Sequence, residues 1–189
     1  MMHRLGAEKF KREYPATVDE AFAQSGNAYF TDDDLRYVEV HQIEASNNAV
    51  HILTETDKTS SYGIGVDVAS GRGGDFSVII VVDKRSYQPV CIYRSNTISP
   101  VALAEKIIHI ATMYNQAKVL VEENNWGLPV LNELRHRGYF NLWKSDKDKN
   151  WITTTKSKIT MFEELKALLA EGVVVVLDSV TYVETRSFQ

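Results

Sequence analysis

Two carboxylates interrupt otherwise apolar runs: Asp67 follows Tyr62-Gly63-Ile64-Gly65-Val66, and Glu122 follows Lys118-Val119-Leu120-Val121. An ionised group at the end of such a run is costly to bury unless it is paired or bound to a cation. Acids gathered from separate elements can hold two divalent ions about 3.5–4 Å apart, an arrangement that cleaves phosphodiesters by clamping the attacking and leaving oxygens. Each residue also has a plainer reading. Asp67 is then a turn-former before a Gly-rich loop, and Glu122 a solvated strand end. At the ends of strands that the element order makes neighbours, the pair carries more weight than either alone, and both are candidate metal ligands.

Other residues weigh less. The loop Gly71-Arg72-Gly73-Gly74 lacks the Lys-Ser/Thr of a nucleotide-binding P-loop and leads into a strand instead of a helix. It reads either as a flexible loop that lets a DNA backbone approach closely or as an ordinary Gly-rich turn. Asp75 either supports a neighbouring ligand or caps that turn. His3, His41, His51, His109 and His136 make no paired ligand spacing, and no Gly-x-Ser-x-Gly elbow offers a nucleophile for acyl transfer. Lys144, Lys147, Lys149, Lys156 and Lys158, interleaved with Trp143 and Trp151, form the one locally basic stretch. Such a segment could track a phosphate backbone, or it is a solvated loop.

The elements that would position these groups are legible from residue 62 onward. Residues 62–68, 76–82 and 88–94 read as three antiparallel strands, the second rich in β-branched residues. Ser99-Pro100 opens a helix whose Val101, Leu103, Ala104, Ile107, Ile108 and Ala111 make an apolar stripe. A strand over 118–121, a helix over 128–136 ending at Gly138, and a short strand over 140–143 follow. A helix over 159–169 and an extended run at 173–177, either a buried strand or an edge element, lead to a helix start at 179–189. Before residue 60 the pattern is weaker. A Thr-capped helix is expected within 13–22, and a helix start at Asp32-Asp33-Asp34 has its acids where the helix dipole favours them. Residues 47–61 read as a linker or extended crossing.

Composition excludes several classes. A chain of 189 residues with 44% hydrophobic and 24% charged residues is globular and large enough to bury a core. The lone Cys91 rules out an intrachain disulfide and a Cys-based zinc site. No apolar stretch approaches the ~20 residues needed to span a bilayer, and no signal peptide follows Met1, so a soluble intracellular protein with no membrane partner is expected. The net charge of −4 speaks against a simple nucleic-acid-binding module. It speaks less against a metal-dependent nuclease, whose acidic site is neutralised by bound cations.

At this point the residues resemble the large subunits of tailed-phage terminases, whose C-terminal nuclease has the ribonuclease-H fold. The likeness rests on Gly65-Val66-Asp67-Val68-Ala69-Ser70-Gly71 with Asp75-Phe76-Ser77, on Val121-Glu122-Glu123-Asn124-Asn125-Trp126-Gly127, and on Trp151-Ile152-Thr153-Thr154 leading to Lys158. Glu13-Tyr14-Pro15, Glu20-Ala21-Phe22, Ser25-Gly26 and Phe30 look like the segment that ends the family's ATPase domain. The resemblance implies an α/β fold with a ribonuclease-H-like mixed sheet, three antiparallel strands and then parallel strands, flanked by helices. It makes residues 1–60 the linker or tail of an absent ATPase domain and 61–189 a nuclease domain truncated before its last helix.

By the same resemblance Asp67 and Glu122 hold Mg²⁺ or Mn²⁺. Glu122 is preferred to Glu123 because the family pattern places the acid two positions before Asn124, and strand alternation agrees. Asp75, Asn124 and Lys158 become supporting or DNA-contacting groups. Implied partners are double-stranded DNA and, in the full-length parent, the portal protein and the terminase small subunit, in the cytoplasm of the bacterial host cell. There are two departures. Nucleotide-binding motifs are missing, so the chain is not a complete packaging motor, and the family's third acid lies beyond the counterpart of Gln189. Asp178 is the only nearby substitute. The expectation is therefore an endonuclease module for concatemeric viral DNA that by itself cleaves weakly or undetectably. Alternatives are another ribonuclease-H-like nuclease of the resolvase or transposase type, or a non-catalytic module docking portal or DNA, which the acidic charge and missing acid favour.

Overall fold

The computed structural model describes residues 28–43, 47–124, 126–145 and 147–188. Its centre is a mixed five-stranded sheet in the order β2-β5-β4-β3-β6, formed by β2 (Val50–Ile52), β3 (Tyr62–Asp67), β4 (Ser77–Asp83), β5 (Pro89–Ser95) and β6 (Lys118–Val121). The strands β3, β4 and β5 form the expected antiparallel meander, and β6 lies parallel to β3. Residues 140–143 do not form a full strand. Leu142 makes a single parallel bridge to Val119, and Trp151 makes another to Glu122.

Alternation along the strands gives the sheet two different faces. Ile64, Val66, Ile79, Val81, Cys91, Tyr93, Val119 and Val121 point into the main core, together with Leu103, Ile107 and Ile110 of α1 (Pro100–Met113) and Val130, Leu131 and Leu134 of α2 (Gly127–His136). Ser99 caps α1 by accepting from the Ala102 N–H, with Pro100 in the first turn. The helix is a crossover that carries the chain from β5 to β6, and its apolar stripe covers the sheet on the way.

A second, smaller core lies beside the first. Leu169 of α3 (Thr155–Ala170) and Leu177 of β7 (Val176–Asp178) pack with Phe30, Leu35 and Val174, joined by Phe188 just beyond α4 (Ser179–Ser187). The rings of Phe162 and Phe188 stack with centroids 4.2 Å apart. Here β1 (Glu39–His41) runs parallel to β7 in a separate two-stranded sheet, so the 173–177 run contributes only its end as a strand and does not join the main sheet. Gln88, in the β4–β5 hairpin, ties the units together: its Oε1 accepts from the Val175 and Val176 N–H groups.

Of the expectations before residue 60, the helix within 13–22 lies outside the described residues, and two others resolve differently. Asp32-Asp33-Asp34 makes a single turn, closed by Thr31 and Asp34 bonding each other's backbone and side chain, because Leu35 is buried at once and no apolar period follows. Residues 50–52 form β2, paired antiparallel to β5 at the sheet edge, inside the stretch expected to be a linker or extended crossing. No helix among the described residues is long and apolar enough to cross a membrane.

Candidate metal centre

Asp67 and Glu122 meet because β3 and β6 are parallel neighbours in register. Val66 pairs with Val121, so the next residue on each strand is one of the two acids. Both line a cavity of ≈ 550 Å³ on the sheet face opposite the main core. Gly65, Val78, Ile80 and Leu120 line it from the sheet, Trp151 and Thr153 from the segment before α3, and Lys158, Met161 and Phe162 from α3 (Thr155–Ala170) itself. Positions 158, 161 and 162 share one side of a helix.

Electrostatics agree with closeness. Burial pushes the Asp67 carboxyl above its ordinary value, the negative charge of Glu122 pushes it further, and a hydrogen bond from the Val68 N–H acts the other way. Asp75 adds a smaller push in the same upward direction. The Asp67 side chain still opens onto the cavity, so solvent reaches it. Like charges held together at a wet, concave site favour either a shared proton or a cation.

Glu123 faces elsewhere. Its Oε2 accepts from Asn150 Nδ2 at 2.7 Å, and it lines a separate pocket with Trp143, Lys149 and Asn150. Of the two neighbouring acids, Glu122 lines the cavity with Asp67 and Glu123 does not.

Asn124 has a positioning role. Its Oδ1 accepts from the N–H groups of Trp126 and Gly127 at 3.1 and 2.9 Å, capping the start of α2 directly after Glu122. An Asn three residues before a glycine that opens a helix is a capping signal readable from sequence. Asp75 is exposed and does not line the cavity. Lys158 does line it, held by α3, whose first turn is fixed by a reciprocal capping box between Thr154 and Ser157. That box starts the helix at Thr155, four residues before its apolar stripe.

The loop of residues 71–74 is pinned at one end. Gly71 has φ +69°, and a Cβ there would fall 2.2 Å from the Ile98 carbonyl oxygen. Arg72 lies over the Trp126 ring, 5.8 Å from its centroid, bridging the loops that follow β3 and β6.

Asp178 is not a substitute ligand. It is 1% exposed and caps α4 by accepting from the Val180 and Thr181 N–H groups, and its Oδ1 is 3.1 Å from Arg94 Nη1. Among the described residues no group of three or more His, Cys, Asp or Glu side chains is assembled to hold a metal ion. Asp67 and Glu122 form a pair of hard oxygen donors, a donor chemistry suited to Mg²⁺ or Mn²⁺.

Comparisons with known proteins agree with this architecture. The sequence profile of a family described as the Terminase RNaseH-like domain matches residues 64–185. Among solved structures, the large terminase nuclease of thermophilic phage G20c with bound cobalt superposes with a TM-score of 0.72 at 20% identity, covering 87% of this chain and 82% of that one. The same nuclease with bound zinc gives 0.68 at 20% identity, covering 82% and 86%. The large terminase nuclease domain of Thermus phage P74-26 gives 0.66 at 20% identity, covering 82% and 76%.

Proposed function

Because the chain belongs to the terminase ribonuclease-H-like domain family, we propose that it is the nuclease module of a viral DNA-packaging motor, a divalent-metal-dependent endonuclease for concatemeric double-stranded DNA. The observation that carries this reading is the meeting of Asp67 and Glu122, from adjacent parallel strands, in one open cavity. Structures of the G20c nuclease with bound cobalt, magnesium and zinc support a divalent ion at a site of this fold, and hard oxygen donors such as these suit Mg²⁺ or Mn²⁺.

Asp67 and Glu122 are the ligands in this reading. When bound, divalent ions activate a water and stabilise charge on the reacting oxygens. The chain's own residues supply the rest of the setting. A bound cation would offset the push that the Glu122 charge gives the Asp67 carboxyl, and Lys158, which lines the same cavity, offers positive charge to the phosphate. The glycines at 73 and 74, where a Cβ would meet nothing within 4 Å, let a DNA backbone come near, and the Asn124 cap holds the loop that follows Glu122. Contacts of this kind position a backbone without reading bases, so sequence choice falls to partners, for which the portal protein and terminase small subunit are the candidates in the larger assembly. The nuclease unit takes in residues 61–189 together with β1 and β2, and what precedes them is the tail of an ATPase domain, at work in the cytoplasm of the bacterial host. With two carboxylates contributed by the described residues, metal binding is weak and cleavage by this chain alone is slow.

The test is nicking of supercoiled plasmid with Mg²⁺ or Mn²⁺, paired with calorimetric titration of Mn²⁺. Expected are weak nicking abolished by chelator, and Mn²⁺ binding lost in Asp67→Ala and in Glu122→Ala. Equal Mn²⁺ binding by wild type and Asp67→Ala would remove the metal site. Fast nicking by the wild type would overturn the two-carboxylate limit.

A further inference from the structure

Beside the candidate metal centre lies a second pocket, of ≈ 580 Å³, lined by Glu123, Trp143, Lys149, Asn150, Trp151 and Ile152 among others. Trp151 lines both cavities, so the two share a wall. Glu122 and Glu123, consecutive at the end of β6, line one each. The rings of Trp143 and Trp151 meet edge to face, with centroids 5.6 Å apart.

The loop that builds this pocket is anchored to the candidate catalytic strand by both arms. On the outgoing arm the Val119 N–H donates to Asn141 O and the Trp143 N–H to Val119 O, and on the returning arm the Glu123 N–H donates to Trp151 O at 2.7 Å. Its tip is closed by the Ser145 N–H donating to Lys149 O and the Asp148 N–H to Ser145 O. Asp148 neutralises Lys144 at 2.6 Å, whereas Lys147 and Lys149 stand exposed. Aromatic faces rimmed by exposed ammonium groups are the equipment for stacking a base while pairing with its phosphates.

We propose that the Trp143–Trp151 pocket, with Lys149 in its lining and the exposed Lys147 two residues earlier on the same loop, is a nucleotide subsite that takes an unpaired base of the DNA strand whose neighbouring phosphate lies at Asp67 and Glu122. The second clause rests on the nuclease reading; the pocket's taste for an unpaired base does not. The two tryptophan rings touch, so the base stacks on an open face of the pair and is not sandwiched between them. A base still paired in a duplex has no free face to offer, so the subsite favours single-stranded, frayed or locally melted DNA. It would hold a strand in place while the carboxylates act on the adjoining linkage.

The experiment measures binding of a fluorescein-labelled thymidine oligonucleotide, single-stranded or annealed to its complement, in chelator so that metal plays no part. Wild type should bind the single strand more tightly than the duplex. Trp143→Ala should weaken the single strand about ten-fold or more and leave the duplex unchanged, with Trp143→Phe restoring most of the loss. The Lys147→Ala/Lys149→Ala variant, altered only at exposed positions, guards against misfolding and should lower the slope of log affinity against log salt by about 1.4. Single-strand binding unchanged in both Trp143→Ala and the lysine variant overturns the subsite, as does a wild type that binds neither DNA or prefers the duplex. The wild type separates the two readings: tighter binding of the single strand in chelator, beside Mn²⁺ binding that is equal in wild type and Asp67→Ala, keeps the subsite and removes the nuclease.

Discussion

Gly127 sits so close to Glu122 that a Cβ added at position 127 would fall 1.8 Å from the Glu122 carbonyl oxygen. The same Cβ would lie 3.3 Å from Asn124 Oδ1, the acceptor that caps α2. Backbone cannot yield as a flexible side chain does, so the glycine lets the chain turn from β6 straight into α2. Gly127→Ala should cost about 1–3 kcal/mol, read as a lower urea midpoint, and should weaken Mn²⁺ binding by shifting Glu122. Gly65→Ala is the control. A Cβ there meets nothing within 4 Å, and it should be neutral or stabilising by about 0.5–1 kcal/mol. Equal stability of the two variants would contradict the close approach.

Glu122 and Glu123 are neighbours with opposite surroundings, and substitution should separate them. Glu122→Gln removes a charge from the cavity it shares with Asp67, so Mn²⁺ affinity should fall sharply and any nicking should disappear. Glu123→Gln keeps an oxygen for Asn150 Nδ2 and should leave both unchanged. Loss of Mn²⁺ binding in Glu123→Gln with retention in Glu122→Gln would reverse the choice.

Much of this site was open to reading from sequence because it is built from strands. A charged residue ending an apolar run marks a sheet end, and the order of strands and crossovers makes β3 and β6 neighbours. Alternation then separates Glu122 from Glu123. What was hidden depended on contacts between distant segments. The pairing of β1 with β7 and of β2 with β5 involves three-residue strands, too short for a period to show. The capping tasks of Asn124 and Asp178 compete with ligand roles in any list of polar residues, and only placement decides. Asp178 shows this most clearly: its position after an apolar run is the same signal that picked out Asp67, yet its partners are Arg94 and a helix start.

That pairing carries a pH signature. Burial alone pushes the Asp178 carboxyl up, but bonds from the Thr181 side chain and backbone, with the Arg94 guanidinium, outweigh it and hold it below 3.8. A carboxylate lowered in the folded state adds stability that is complete above 3.8 and is lost as pH falls through the lowered value. Arg94 Nη1 lies 3.1 Å from Asp178 Oδ1, and Arg94 Nε has no hydrogen-bond partner, so removing the carboxylate strands a buried cation. Asp178→Asn should cost about 3–5 kcal/mol near neutral pH. The gap from wild type in urea unfolding should narrow as pH drops below 3.8. A gap independent of pH would mean that the carboxylate serves only as a cap.

Lys158 offers a way to test the α3 side of the cavity without touching the candidate metal ligands. Its ammonium lies 5.9 Å from the centroid of the Phe162 ring one turn along α3, and both residues line the cavity facing Asp67 and Glu122. A cation placed across from two carboxylates either neutralises them in the empty site or meets a phosphate in the filled one. The readings differ in what removal does. If Lys158 serves the phosphate, Lys158→Ala should leave Mn²⁺ affinity intact and lower the slope of log duplex affinity against log salt by about 0.9. If it serves the carboxylates, Mn²⁺ affinity should rise, because a competing positive charge has gone, and the salt slope should hold. The first outcome is expected, since α3 fixes the lysine through its Thr154–Ser157 capping box on the wall across the opening, where a phosphate drawn to the acids' cation would come within its reach.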